Sequence, residues 1–105
     1  MDFQITDAAM KILSTIKSDH FIQLSFAKGS CDIVNNIYEM KVVKKREPEA
    51  PYEKIITVKN IEFLVELGFE DVYDNQLVID YSNGLFIFKN KNQIFNNKIG
   101  LRFIK

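Results

Sequence analysis

The hydrophobic period of this chain changes once and does not change back. Between residues 6 and 18, Ala9, Ile12, Leu13 and Ile16 recur at the i, i+3, i+4, i+7 spacing of one apolar helical stripe. Thr6 has the side chain of an N-cap, Ile5 ahead of it can staple onto Met10, and Asp7 places an anion in the first turn. From Phe21 onward the apolar residues alternate instead, with Ile22, Leu24 and Phe26 on one face of a strand predicted over 21–27. A helix with a single apolar stripe needs a surface to lie on, and here only strands follow it.

Those strands are short and set apart by turn residues. The pattern predicts a strand over 37–45, with Tyr38, Met40 and Val42 sharing a face, then a break at Pro48 and Pro51 and a third strand over 53–58. Lys59-Asn60 suits a two-residue hairpin turn, because Asn tolerates the positive φ such turns need. A return strand over 62–67 follows, and Gly68 opens a short irregular or single-turn segment to Asp74. Residues 76–81 and 85–89 form a further hairpin around Ser82-Asn83-Gly84. The expected class is α+β: one N-terminal helix packed on antiparallel strands and hairpins. A length of 105 residues predicts a single domain spanning 1–105, and 47% apolar residues, including nine Phe and four Tyr, supply its core.

Fourteen basic residues balance fourteen acidic ones. Proteins that live on nucleic acid or on anionic membranes carry a basic excess, so neither is an expected partner. The one basic run, Lys44-Lys45-Arg46, meets Glu47 and Glu49 at once and reads as a solvated strand end. One cysteine excludes an internal disulfide framework. The opening Met1-Asp2-Phe3-Gln4 has neither a charged n-region nor an apolar h-region, and no apolar run approaches the roughly 20 residues of a membrane span. The expected location is cytoplasmic.

The usual carriers of enzymatic chemistry are missing. Gly29, Gly68, Gly84 and Gly100 are isolated, so no Gly-rich phosphate loop exists, and no H-E-x-x-H, G-x-S-x-G or Cys-x-x-Cys occurs. The single histidine, His20, follows the helix and suits its C-terminal dipole. Cys31 stands in the polar loop Lys28-Gly29-Ser30-Cys31-Asp32, where Lys28 and Asp32 act on its pKa in opposite senses. A strand separates Cys31 from His20, which argues against a Cys–His catalytic pair. Glu70 and Asp71 read as turn residues. No catalytic residue is expected.

The same residues, taken in order, resemble the HesB-like family, the A-type carriers of iron–sulfur cluster assembly. The resemblance runs over about residues 3–92. Ile5-Thr6-Asp7-Ala8-Ala9 leads into the helix, Ile22-Gln23-Leu24-Ser25-Phe26 forms the next strand, and Lys28-Gly29-Ser30-Cys31 stands where members carry a Gly-Gly-Cys loop. Phe63-Leu64-Val65-Glu66, Leu77-Val78-Ile79-Asp80-Tyr81 and Phe86-Ile87-Phe88-Lys89-Asn90 resemble three later segments of the family. The resemblance implies a compact β-rich domain, often a dimer, with Cys31 as the family-matched metal ligand.

Typical members add a Cys-Gly-Cys pair in the C-terminal tail. Here residues 93–105 keep Gly100 without a cysteine on either side. Iron–sulfur clusters usually take four thiolates. One subunit of this chain offers one, and a symmetric dimer two. The tail instead carries Ile94, Phe95, Ile99, Leu101, Phe103 and Ile104, whose joint exposure would invite aggregation. Each contributes roughly 1.5–3 kcal/mol if buried. The tail is therefore expected to pack, either on its own domain as extra strands or on another subunit. Two functions remain: a non-enzymatic interaction module of this fold with a protein partner or self-association, or an iron or iron–sulfur carrier that uses Cys31 across a dimer.

Overall fold

The structure is a computed structural model that describes residues 1–27 and 37–104. Thr6 accepts a hydrogen bond from the backbone N–H of Ala9 and caps the helix α1, Asp7–Leu13. The stripe expected to 18 stays helical only to Leu13. Thr15 Oγ1 donates to the carbonyl of Ile12, and the N–H groups of Thr15 and Ile16 bond three residues back, to Ile12 and Leu13. Hydroxyl side chains that compete for backbone carbonyls tighten the last turn and end the helix. Ile16 still packs against the core from that tighter turn.

Strand β1, Asp2–Ile5, precedes the helix and was not legible as a strand. Then come β2, His20–Ala27, β3, Ile37–Lys44, β4, Glu53–Val58, and β5, Ile61–Glu66. A single helical turn, α2, Phe69–Val72, leads to β6, Gln76–Ser82, and β7, Leu85–Lys89. The chain continues through β8, Ile94–Ile99, and β9, Leu101–Phe103. Lys59 and Asn60 both take positive φ, 49° and 68°, and turn the β4–β5 hairpin as expected. Asn83 and Gly84, at 55° and 83°, do the same between β6 and β7.

The strands form two sheets, in the orders β1-β6-β7-β8 and β4-β5-β2-β3-β9. Within them the expected hairpins are antiparallel, while three longer-range pairings, β1 with β6, β2 with β5 and β3 with β9, are parallel. Both sheets are therefore mixed. One core draws on both: Ile22, Leu24, Met40 and Phe63 from the five-stranded sheet, and Leu77, Ile79, Phe86, Phe88 and Ile99 from the four-stranded one. The helix adds Ala9 and Leu13, both fully buried.

A polar node holds the first strand and the helix to the rest. Asp80 on β6 accepts from Thr6 Oγ1 at 2.7 Å and from the N–H of Tyr81 at 2.8 Å, and its second oxygen lies 3.1 Å from Lys89 Nζ. Those donors, Thr6 first, hold its carboxyl below the usual range. Asn90 does similar work at the end of β7. Its amide donates to the carbonyls of Tyr73 and Gln76, and its oxygen accepts from the N–H groups of Asn92 and Gln93.

The segment after Gln93 belongs to both sheets. β8 pairs with β7, placing Ile99 opposite Phe86, and β9 pairs with β3, placing Leu101 opposite Met40. Ile99 is buried and Phe95 packs against the core.

Two outcomes follow. Cutting the chain after Asn92 should lower the melting temperature or the solubility, and Ile99→Ala alone should cost roughly 2–5 kcal/mol; unchanged thermal melting of both would remove the structural role of the tail. Asp80→Asn should cost about 1–2 kcal/mol near neutral pH. Asp80 has a depressed folded pKa, so its contribution is complete above 3.8 and lost as the pH falls below it. The stability gap between Asp80→Asn and the parent should therefore close on acidification in urea titrations, and a gap constant with pH would contradict the node.

Candidate functional site

Cys31, the family-matched ligand position, lies in residues 28–36, outside the described residues. What is described is the hairpin end from which that segment departs. β2 and β3 pair in register from His20↔Lys44 to Ala27↔Ile37. Alternation puts Leu24 and Met40 inward, as the period of two predicts, and brings Phe26 beside Tyr38 at 5.2 Å between ring centroids.

Tyr38 opens an aromatic cluster at this end of the fold. Its ring lies 6.1 Å from Tyr73 and 6.4 Å from Phe95, and Tyr73 meets Phe95 edge-on at 5.1 Å. Phe69 of α2 closes on Tyr73 at 5.1 Å. Edge-to-face and tilted pairs of this kind add roughly 0.5–1.5 kcal/mol each beyond the area they bury. Burial, and secondarily Tyr38, pushes the Tyr73 phenol above its ordinary pKa. It stays protonated at physiological pH and is no ready nucleophile or base. Phe95 comes from the tail, so the C-terminal segment forms part of the wall beside the hairpin end. The sequence offered Tyr38 as an inward residue of its strand, but nothing local announced that Tyr73 and Phe95 would join it.

His20 starts β2, and Ala27 ends it. At about 3.3 Å per residue the two lie roughly 23 Å apart along the strand. His20 therefore sits away from the hairpin end that leads to Cys31. The expectation that it suits the C-terminal dipole of the helix does not hold, because α1 ends at Leu13 and a helix dipole acts only within its last turn. Its Nδ1 is 2.7 Å from Asp19 Oδ1. That hydrogen bond is the first cause of a lowered Asp19 pKa.

Several carboxylates are engaged in structural pairs. Glu70 binds Lys54, which holds its carboxyl below the usual range, while Asp71 is exposed in the same short helix. Glu53 takes both Arg46 nitrogens, at 2.6 and 2.9 Å, and the N–H of Glu49 at 3.0 Å. These donors pull its pKa down to about 2. Lys45 pairs with Glu62, so two members of the basic run are matched within the chain. Among the described residues no three His, Cys, Asp or Glu side chains gather as a metal ion would require, and no helix is long and apolar enough to cross a membrane.

The described part of the site is thus an aromatic cluster beside a hairpin end, with Tyr73 and Phe69 buried, Phe26, Tyr38 and Phe95 half-buried, and no acid–base pair among these residues. Solved structures share its framework. A Lactobacillus salivarius protein provisionally assigned to Fe-S biosynthesis matches with a TM-score of 0.73 and 19% identity, over 98% of each chain. A Lactobacillus acidophilus protein with the same provisional assignment matches with a TM-score of 0.70 and 13% identity, over 98% of this chain and 90% of that one. Escherichia coli SufA, described as involved in biosynthesis of iron-sulfur clusters, matches with a TM-score of 0.58 and 14% identity over 89% of each chain. At these identities the likeness is one of fold. A search of curated proteins returns no match. The pattern of the family described as iron-sulphur cluster biosynthesis matches residues 1–103. With nearly the whole chain matched and the helix, hairpins and Asp80 segment in place, this protein belongs to the iron-sulphur cluster biosynthesis family.

Proposed function

We propose that this chain serves cluster assembly as a non-enzymatic protein-binding module, with residues 93–105 standing in for a cysteine-bearing tail. The observation that carries this reading is the fate of the C-terminal segment. It is folded into β8 and β9, one strand in each sheet, and it contains no thiol. A segment held by two ladders and a buried Ile99 is a packing element rather than an arm that delivers ligands.

The donor set gives the same answer. An iron–sulfur cluster usually takes four soft ligands, and one subunit brings the single thiol of Cys31. Two subunits bring two. The cluster as cargo does not fit the ligands this chain supplies. The competing reading makes the chain a carrier that shares Cys31 across a dimer, and it rests on that cysteine standing after Lys28-Gly29-Ser30, at the family position.

Anaerobic reconstitution with iron and sulfide separates the two readings. The module reading expects no stoichiometric cluster absorbance in the parent chain and the same spectrum in Cys31→Ser. A cluster near full iron and sulfide occupancy that disappears in Cys31→Ser would establish the carrier instead.

A further inference from the structure

Two of the most exposed large apolar side chains sit together. Leu67 is 71% exposed and Tyr52 is 68% exposed, and the N–H of Leu67 donates to the carbonyl of Tyr52 at 2.8 Å at the open end of the β4–β5 hairpin. Burying either would be favourable, so leaving both in water is a cost the fold does not itself recover.

Leu67 lines two adjoining clefts. One, of about 310 Å³, is lined by Tyr52, Leu67 and the carboxylates Glu49, Glu53 and Glu66. The other, of about 100 Å³, shares Glu66 and Leu67 and continues over Phe26, Phe69 and Val72 towards the aromatic cluster. Together they make an apolar groove with a charged rim of one sign.

The rim is only partly neutralised from within, because the Arg46 charge that pairs with Glu53 also acts on Glu49 at longer range. Arg46 is committed to Glu53 in a two-pronged pair, whereas Glu49 and Glu66 take part in no ion pair among the described residues. In the β4–β5 register Glu66 stands directly opposite Glu53, a like-charge placement that costs stability unless something positive approaches. Arg46 meets that need at Glu53 and in part at Glu49, whereas Glu66 has no ion-pair partner among the described residues.

We infer that the Tyr52–Leu67 groove docks an apolar side chain of a partner protein flanked by lysine or arginine, with Glu49 and Glu66 receiving the cations. The inference rests on the reading of the chain as a protein-binding module and names the chemistry of its partner. Apolar anchors in the groove provide the affinity, and the acidic rim provides orientation and rate of encounter.

The test is fluorescence anisotropy on the full chain with a short labelled peptide of alternating lysine and leucine, against a matched peptide of alternating glutamate and leucine. The lysine peptide should bind and weaken with added salt, and the glutamate peptide should not bind. Leu67→Ser should weaken binding by about tenfold or more, as loss of one anchor does. Glu49→Lys with Glu66→Lys should do the same, and Phe103→Ser, at an equally exposed position elsewhere, should leave binding unchanged. All these side chains are exposed, and a melting curve on each variant shows that it is folded. Absence of binding to the parent chain, equal binding of the two peptides, or binding indifferent to the groove variants would overturn the inference. Concentration-dependent self-association that Leu67→Ser abolishes would overturn it too, by making the occupant a second copy. Failure of the peptide with a colourless reconstitution removes the groove and leaves the module reading. A cluster formed through Cys31 removes the module reading, while the binding measurement still decides the groove.

Discussion

Ile99 and Leu101 are two residues apart and belong to different sheets. Between them the chain leaves the ladder with β7 and enters the ladder with β3, so a short covalent connection fastens one sheet to the other. A sheet edge needs a partner or protection, and β7 and β3 each gain their outer neighbour from this one segment. Ile99, Phe95 and Leu101 follow from that duty. Ile99 goes into the shared core and Phe95 into the aromatic cluster, while Ile94, Phe103 and Ile104 remain exposed. A segment with these contacts on both sides has little freedom to swing away from the domain.

The family-like motifs acquire a physical meaning in the same way. Thr6 and Asp80 are far apart in sequence and hydrogen-bonded in space. The threonine caps a helix with its acceptor lone pairs and satisfies a carboxylate with its proton, so one hydroxyl ties helix, first strand and β6 together. Asn90 satisfies carbonyls before and at the start of β6 and turns the chain towards β8. These are scaffold positions. They account for recognisable sequence over the length of the domain without bringing chemistry with them, and fold resemblance narrows function only as far as the sites agree.

Local physics made much of this legible. The cap at Thr6, the positive φ demanded at Lys59-Asn60 and at Asn83-Gly84, and the alternation in β2, β3 and β6 are set by neighbours in sequence, and each element stands within a few residues of where the pattern put it. The α+β class and the family followed from them. What stayed hidden was non-local. β1 is four residues long and pairs in parallel with a strand more than seventy residues away, so its period is too short to be seen alone. The end of α1 was set by a Thr15 hydroxyl competing for a carbonyl, which overrides an apolar stripe that runs on to Ile16. The apolar tail announced that it must pack, and only the three-dimensional register showed that it serves both sheets. Of the site, Cys31 was visible as a motif position and lies outside the described residues, while the Tyr38–Tyr73–Phe95 cluster assembles from three distant strands and turns.

The central claim is that the C-terminal segment is fixed structure. Hydrogen–deuterium exchange resolved to single residues reads this directly, because ladder amides open only with local or global unfolding. The account predicts that the amide of Ile104, bonded to the carbonyl of Val42, and those of β8 that face β7 exchange slowly, on the timescale of β2 and β3. Exchange across residues 94–104 at the rate of an unstructured peptide, while β2 and β3 stay protected, would contradict it.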